Sequence, residues 1–204
     1  METSFINKNT AGITKYIFPA LLIFCTICFA GCHRPSANMR TFAGKFLDGA
    51  DMTYADLVSR QAEIKRMATS PDKKDANVDA SPAFHIVFGP VKVLNMFKIR
   101  ESDYKWESKE EKKSEADVDA LKQLAAARDA FAQCALRLNF EVKDQLPAYR
   151  VWQNAPPEKI MEKVRENLGI KGKETPPANA CERYESLADE MRNSLGLESG
   201  KAKK

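Results

Sequence analysis

The apolar and polar positions divide the chain into an N-terminal apolar run, a polar spacer and a series of amphipathic stretches. Residues 1–15 are polar, with Lys8 and Lys15 against Glu2, and Tyr16 to Ala30 is an almost uninterrupted apolar run of fifteen residues containing Pro19. A helix crossing the hydrocarbon core needs about twenty apolar residues. The run is short for a permanent span and fits a secretory signal, whose charged and apolar regions end in small residues. Ala30-Gly31 supplies those residues directly before Cys32.

Past a polar, Pro-containing spacer, His33 to Arg40, the helical period takes over. Thr53 with Asp56 reads as a capping pair, and Tyr54, Leu57, Val58, Ile64 and Met67 fall on one face, predicting a helix over 53–69. A polar stretch from Ser70 to Pro82 reads as a loop. Ala83 to Phe88 and Val91 to Ile99 are rich in aromatic and β-branched residues, with Val91, Val93, Phe97 and Ile99 alternating with Lys92, Lys98 and Arg100. Two readings fit this stretch: a hairpin turning at Gly89-Pro90, or a helix opened by Pro90 that carries Leu94 and Phe97. The alternation leans toward strands. A mixed charge run with Tyr104 and Trp106 follows, to Lys113.

Ser114 with Asp117 is a second capping signal, and Val118, Leu121, Leu124, Ala125, Phe131, Cys134, Ala135, Leu138 and Val142 form the longest stripe, predicting a helix over 114–144. Pro156-Pro157 precede a helix carrying Ile160, Met161, Val164 and Leu168 that stops at Gly169. Asn179 opens the last helix, with Cys181, Tyr184, Leu187, Ala188, Met191 and Leu195 at intervals of three or four and Gly196 as its stop. The fold expected is mainly α, a small helical domain over 41–200 with one short β-hairpin, after a signal segment (1–31) and a tether (32–40).

Phe29-Ala30-Gly31-Cys32 resembles the lipobox of bacterial lipoproteins, usually Leu, then Ala or Ser, then Gly or Ala, then Cys; Phe29 departs from the usual Leu but keeps the position large and apolar. The resemblance implies a diacylglyceryl thioether on Cys32, cleavage before it and acylation of the new amino terminus. A thiolate is the side chain best able to make that bond, and two or more acyl chains give stable membrane residence. In a host with two membranes, His33 stands where Asp would favour inner-membrane retention, so the outer membrane, facing the periplasm, is expected. Cys25 and Cys28 lie inside the apolar run, where free Cys acts as a small hydrophobe, and cleavage removes them.

Composition alters this picture little. Of 204 residues 44% are hydrophobic and 29% charged, the balance of an ordinary globular protein. The net charge of +4 falls to +3 in the mature chain, because Lys8, Lys15 and Glu2 leave with the signal segment. The basic residues are interspersed with acids, so no nucleic-acid partner is expected. Cys134 and Cys181 both lie on apolar stripes, and in an oxidising envelope a disulfide between them is expected. His85 is the one imidazole in the domain beyond the tether, and its apolar neighbours favour a structural histidine over a catalytic base. No ligand-spaced His/Cys cluster, Gly-rich phosphate loop or Gly-x-Ser-x-Gly elbow occurs, so neither cofactor nor metal is expected.

The expected role is that of a non-catalytic binding, scaffold or assembly-accessory protein of the cell envelope, held to a membrane through lipid on Cys32 and meeting an envelope protein through its helix surfaces. Two alternatives stay open. One is a carrier for a lipid or other apolar ligand, with a cavity lined by Phe84, Phe88, Phe97 and Phe131. The other is an envelope hydrolase with polar residues converging on His85.

Overall fold

Ser36 starts the first helix by accepting a hydrogen bond on Oγ from the Met39 amide at 3.1 Å, the N-capping arrangement. The computed structural model describes residues 34–69, 81–107 and 114–197. They form α1 (Ala37–Thr69), α2 (Ser81–Glu107), α3 (Glu115–Phe140), α4 (Pro157–Leu168) and α5 (Ala180–Leu195), with short 3-10 turns at Leu146–Ala148 and Arg150–Trp152. The domain is mainly helical, and no strand occurs among the described residues. None of the described helices is long and apolar enough to cross a membrane. The signal segment, Cys32 and His33 lie outside the described residues, as do 70–80, 108–113 and 198–204.

Residues 37–40, placed in the tether by the sequence pattern, already belong to α1, and Met39 is buried. The helix runs through the position at which Thr53 was expected to cap it. Thr53 Oγ1 instead donates back to the Gly49 carbonyl at 2.8 Å, a bond available to Thr inside a helix. What carries the helix across is its buried row, Met39, Ala43, Phe46, Leu47, Ala50, Leu57 and Ile64.

The hairpin expected over 83–99 is not formed. Those residues lie within α2, whose buried positions Ala83, Ile86, Val87, Leu94 and Phe97 follow the helical period. Packing outweighs the β-branched composition here. Pro90 sits inside this helix, where it has no N–H for the carbonyl four residues back and its ring crowds that carbonyl. The carbonyl concerned is that of Ile86. It is not left unsatisfied: Asn139, fully buried on α3, donates from Nδ2 to the Ile86 oxygen at 2.8 Å and to its own Ala135 carbonyl at 2.8 Å.

The C-terminal half follows the sequence pattern closely. Ser114 caps α3, accepting from the Asp117 amide at 3.1 Å. This helix ends at Phe140, and the chain continues through turns to Leu146. Gly169 and Gly196 end α4 and α5 at φ of 70° and 64°, left-handed values that glycine adopts without strain. Asn179 holds the N-cap position of α5, but its side chain makes no capping bond.

Cross-helix contacts give the directions. Phe97 of α2 packs on Phe42 and Phe46 of α1, so these two helices are antiparallel. Ser36 meets Asp117, and Gln61 meets Leu138 and Glu141, so α1 and α3 run parallel. Ser194 bonds Gln123 while Cys181 reaches Cys134, so α5 returns antiparallel to α3. The result is an antiparallel bundle in which α1, α2 and α3 pack mutually and α5 lies against α3 and α1, with α4 against the far end of α3 and α2. One pole collects the starts of α1 and α3 and the ends of α2 and α5. The other collects the end of α3, the start of α5 and α4.

Candidate functional site

The residues singled out by sequence fall into separate places. Cys32 lies outside the described residues. The sulfurs of Cys134 and Cys181 are 2.02 Å apart and their Cα atoms 4.4 Å apart, the distances of a disulfide; Cys134 is fully buried and Cys181 packs on the core edge.

His85 is half-exposed, with Nδ1 4.0 Å from Asp56 of α1, and sits edge-on to Phe84 at 6.2 Å. The four phenylalanines proposed to line one cavity divide into two groups. Phe131 and Phe97 are core residues, Phe131 packed edge-on against Tyr184 at 5.3 Å and Phe97 under the Arg128 guanidinium at 5.9 Å. Phe84 is 48% exposed and forms a surface row with Phe88 and Trp152, centroids 4.7 and 5.9 Å apart.

An ionic cluster built on a buried arginine joins α1 to α5, with Asp48 exposed and Asp51 half-buried. Arg192 is 3% exposed and donates to Asp48 at 3.0 Å and to Asp51 at 2.7 Å. Burial alone would depress its guanidinium, but bonds to Asp51 and Asp48 outweigh this and raise it. The Tyr184 hydroxyl donates to Asp51 at 2.6 Å, and burial together with that carboxylate holds the phenol far above its ordinary range. Tyr54, packed on Tyr184 at 5.9 Å, is pushed up to about 12 by burial and by Glu185. Arg192 therefore stays charged and the two phenols stay protonated across ordinary pH, and the bonds from Arg192 and Tyr184 to Asp51 tie the two helices together.

Among the described residues a concave feature lies elsewhere, at the pole away from the start of α1. The end of α3, α4 and residues 170–173 enclose a half-open groove of about 640 Å³. Its apolar surface comes from Phe140, Met161, Ile170 and Pro157, and around it stand Lys143, Lys159 and Lys173 with Glu158, Glu162 and Glu166. Arg165 fixes one wall by donating from Nη2 to the carbonyls of Glu174 at 3.2 Å and Lys173 at 3.4 Å. Lys143 lies over the Phe140 ring, its Nζ 4.5 Å from the centroid. Apolar surface bordered by both signs of charge suits an amphipathic partner that carries both.

The apolar stripe of α4 is legible in the sequence but this groove is not, because its walls come from three separate segments and the charged residues around it look like any solvated ones. No group of three or more His, Cys, Asp or Glu able to hold a metal ion occurs among the described residues. Compared with protein-family models, with curated proteins and with solved structures, the chain matches none.

Proposed function

We propose that this chain is a bacterial lipoprotein whose helical domain, held to the outer-membrane face of the periplasm through lipid on Cys32, binds a protein of the cell envelope as an assembly or scaffold component. It works by binding rather than by catalysis. The observation that carries this reading is the apolar run leading into Phe29-Ala30-Gly31-Cys32 and followed, after the three residues His33 to Pro35, by the first cap of a helical domain at Ser36. The groove between α3 and α4 supplies the binding surface, with apolar area for affinity and charges of both signs for selection.

Feeding cells a clickable fatty acid tests the anchor. Wild-type protein takes up label and Cys32→Ser protein takes up none; equal label in both overturns the assignment. Recovery in the inner-membrane fraction alone would overturn the outer-membrane placement. Capture from envelope extracts tests the groove: the double charge reversal Lys159→Glu, Glu162→Lys should lose partners that the wild type retains.

A further inference from the structure

The side of α1 that faces away from the bundle is ordered in a way its own packing does not require. Its buried row, from Met39 to Ile64, packs on the neighbouring helices. On the opposite side Asp48, Met52, Ala55, Ser59, Ala62 and Arg66 recur at alternating intervals of four and three residues, and all six are exposed. That is the spacing of a coiled-coil seam, here without a partner helix among the described residues. Ala55 and Ser59 stand two residues on either side of buried Leu57, each about 160° round the helix from it. Met52 is 76% exposed and Val58, on the flank of the seam, 41%, apolar surface that burial against a second helix would take out of water.

The two ends of the seam carry opposite charges that the fold leaves available. Arg66 is exposed and its side chain has no partner among the described residues. Asp48 accepts from Arg192 on Oδ1 alone, and its side chain stays 66% exposed. The flanking charges are already matched within the chain. Arg60 holds Asp56 at 3.3 Å and Glu63 at 3.2 Å, Lys65 is bound to Glu141 at 2.8 Å, and Asp51 to Arg192 at 2.7 Å.

Two copies of α1 laid antiparallel, with a twofold axis level with residue 57, bring these positions into register. Asp48 of each copy meets Arg66 of the other, Met52 meets Ala62 and Ala55 meets Ser59, every contact being made twice, as an isologous interface requires. Beyond them Lys45 meets neutral Thr69. Val58 meets its own copy on one flank; on the other Asp56 meets its own copy, a repulsion that Arg60 offsets on each side. The Met52 side chain enters the gap left by Ala62 and Ser59, and the small residues let the axes approach to about 8 Å, the short end of the range for packed helices. A parallel pair would set Asp48 on Asp48 and Arg66 on Arg66, so the charges select the antiparallel one.

We propose that the exposed face of α1 is a self-association surface, on which a second copy of this chain docks antiparallel with Asp48 against Arg66 and Met52 against Ala62. The lipid anchor proposed at Cys32 is not needed for it. None of the six seam residues lines the groove between α3 and α4, so the two surfaces are separate.

The test is cross-linking in cells that express the full chain. Met52→Cys and Ala62→Cys are introduced singly and together, a short membrane-permeant bis-maleimide is added, and the linked peptides are identified by mass. Within one copy positions 52 and 62 are separated by about 15 Å along α1, beyond the reagent's reach. A dimer linked from 52 to 62 is expected in the double variant and on co-expression of the two single variants. Absence of that link, or a link from 52 to 52 in Met52→Cys alone, overturns the proposal. Adding Arg66→Glu to the double variant sets two acids together and should lower the yield of the link several-fold. Adding Asp48→Lys as well, with Arg192 still held by Asp51, should restore it. An unchanged yield with Arg66→Glu, or no recovery in the paired reversal, overturns the register on which the proposal stands.

Discussion

Asn139→Asp exchanges one amide nitrogen for oxygen in a fully buried side chain, with almost no change of shape. In the native protein that nitrogen donates to the Ile86 and Ala135 carbonyls, both at 2.8 Å. In the variant a carboxylate oxygen would face two carbonyl oxygens at the same distance, so the folded state requires the protonated acid. The other oxygen, Oδ1, has no donor among the described residues, and its cost is common to both proteins. The folded pKa of the introduced carboxyl is therefore raised above the unfolded value of about 3.9. Above that pH the folded variant must bind a proton that the unfolded chain has released. Its stability relative to wild type falls as pH rises, by about 1.4 kcal/mol per unit, reaching about 4 kcal/mol at pH 7 against about 1.5 at pH 5. A carboxyl also offers one O–H where the amide offered two N–H, adding about 1 kcal/mol at either pH. Urea unfolding followed by far-UV circular dichroism at both pH values measures the difference. A deficit that is the same at pH 5 and pH 7 would falsify the argument. The role of Pro90 is checked in the same way: Pro90→Ala returns a main-chain donor to the Ile86 carbonyl, so Asn139→Ala should cost about 1 kcal/mol less in that background than alone. Strictly additive costs would show that proline and amide are unconnected.

Three further outcomes are expected. The Glu141 carboxylate is held below its usual range, chiefly by the hydrogen bond from Lys65 at 2.8 Å and secondarily by Arg137 at 2.9 Å. The stability it contributes is present above the ordinary glutamate range and lost as pH falls through the lowered value, so the wild-type melting temperature should drop more steeply than that of Glu141→Gln between pH 5 and pH 3; equal slopes refute this. Non-reducing peptide mapping should give one cross-linked pair containing Cys134 and Cys181, and its reduction should cost about 4 kcal/mol by loop-closure entropy, with hydrogen exchange rising first in α5; alkylation of both thiols in unreduced, denatured protein would sink the pairing. Arg192→Met leaves Asp51 without its cation in a half-buried site and should cost about 3 kcal/mol in urea unfolding, whereas a cost below about 0.5 kcal/mol would place the cluster among surface pairs.

What could be read from sequence was information lying within a turn or two of the residue concerned. The Ser114 cap, the stops at Gly169 and Gly196, and the stripes of α4 and α5 are local and stand where the pattern puts them. Cys134 and Cys181 were paired for the same reason, each lying on its own apolar stripe. The first half of α1 is not legible because Thr53 with Asp56 imitates a helix start, while part of what supports it comes from elsewhere: Leu197 packs 3.7 Å from the Cβ position of Gly44, and Asp117 holds Ser36. In α2 the decisive partner of the carbonyl exposed by Pro90 lies 53 residues away. The groove escaped detection because charged residues on α4 look the same in sequence whether they face bulk water or enclose a cleft.

The cluster around Arg192 also sets an order of events. Asp48 and Asp51 meet a guanidinium 144 and 141 residues further along the chain. Until α5 exists, the faces of α1 and α3 that receive Tyr184, Met191 and Leu195 stand open, and closing so long a loop is slow compared with helix formation. At synthesis rates of about 5–20 residues per second, a nascent chain spends several seconds with α3 made and α5 missing. On the proposed reading of residues 1–32 as an export signal, that delay has a use. The contacts that finish the described bundle depend on α5, the last of its helices to be made, so on that reading the polypeptide stays loose enough to be threaded through a membrane and acquires its full stability only once α5 has followed.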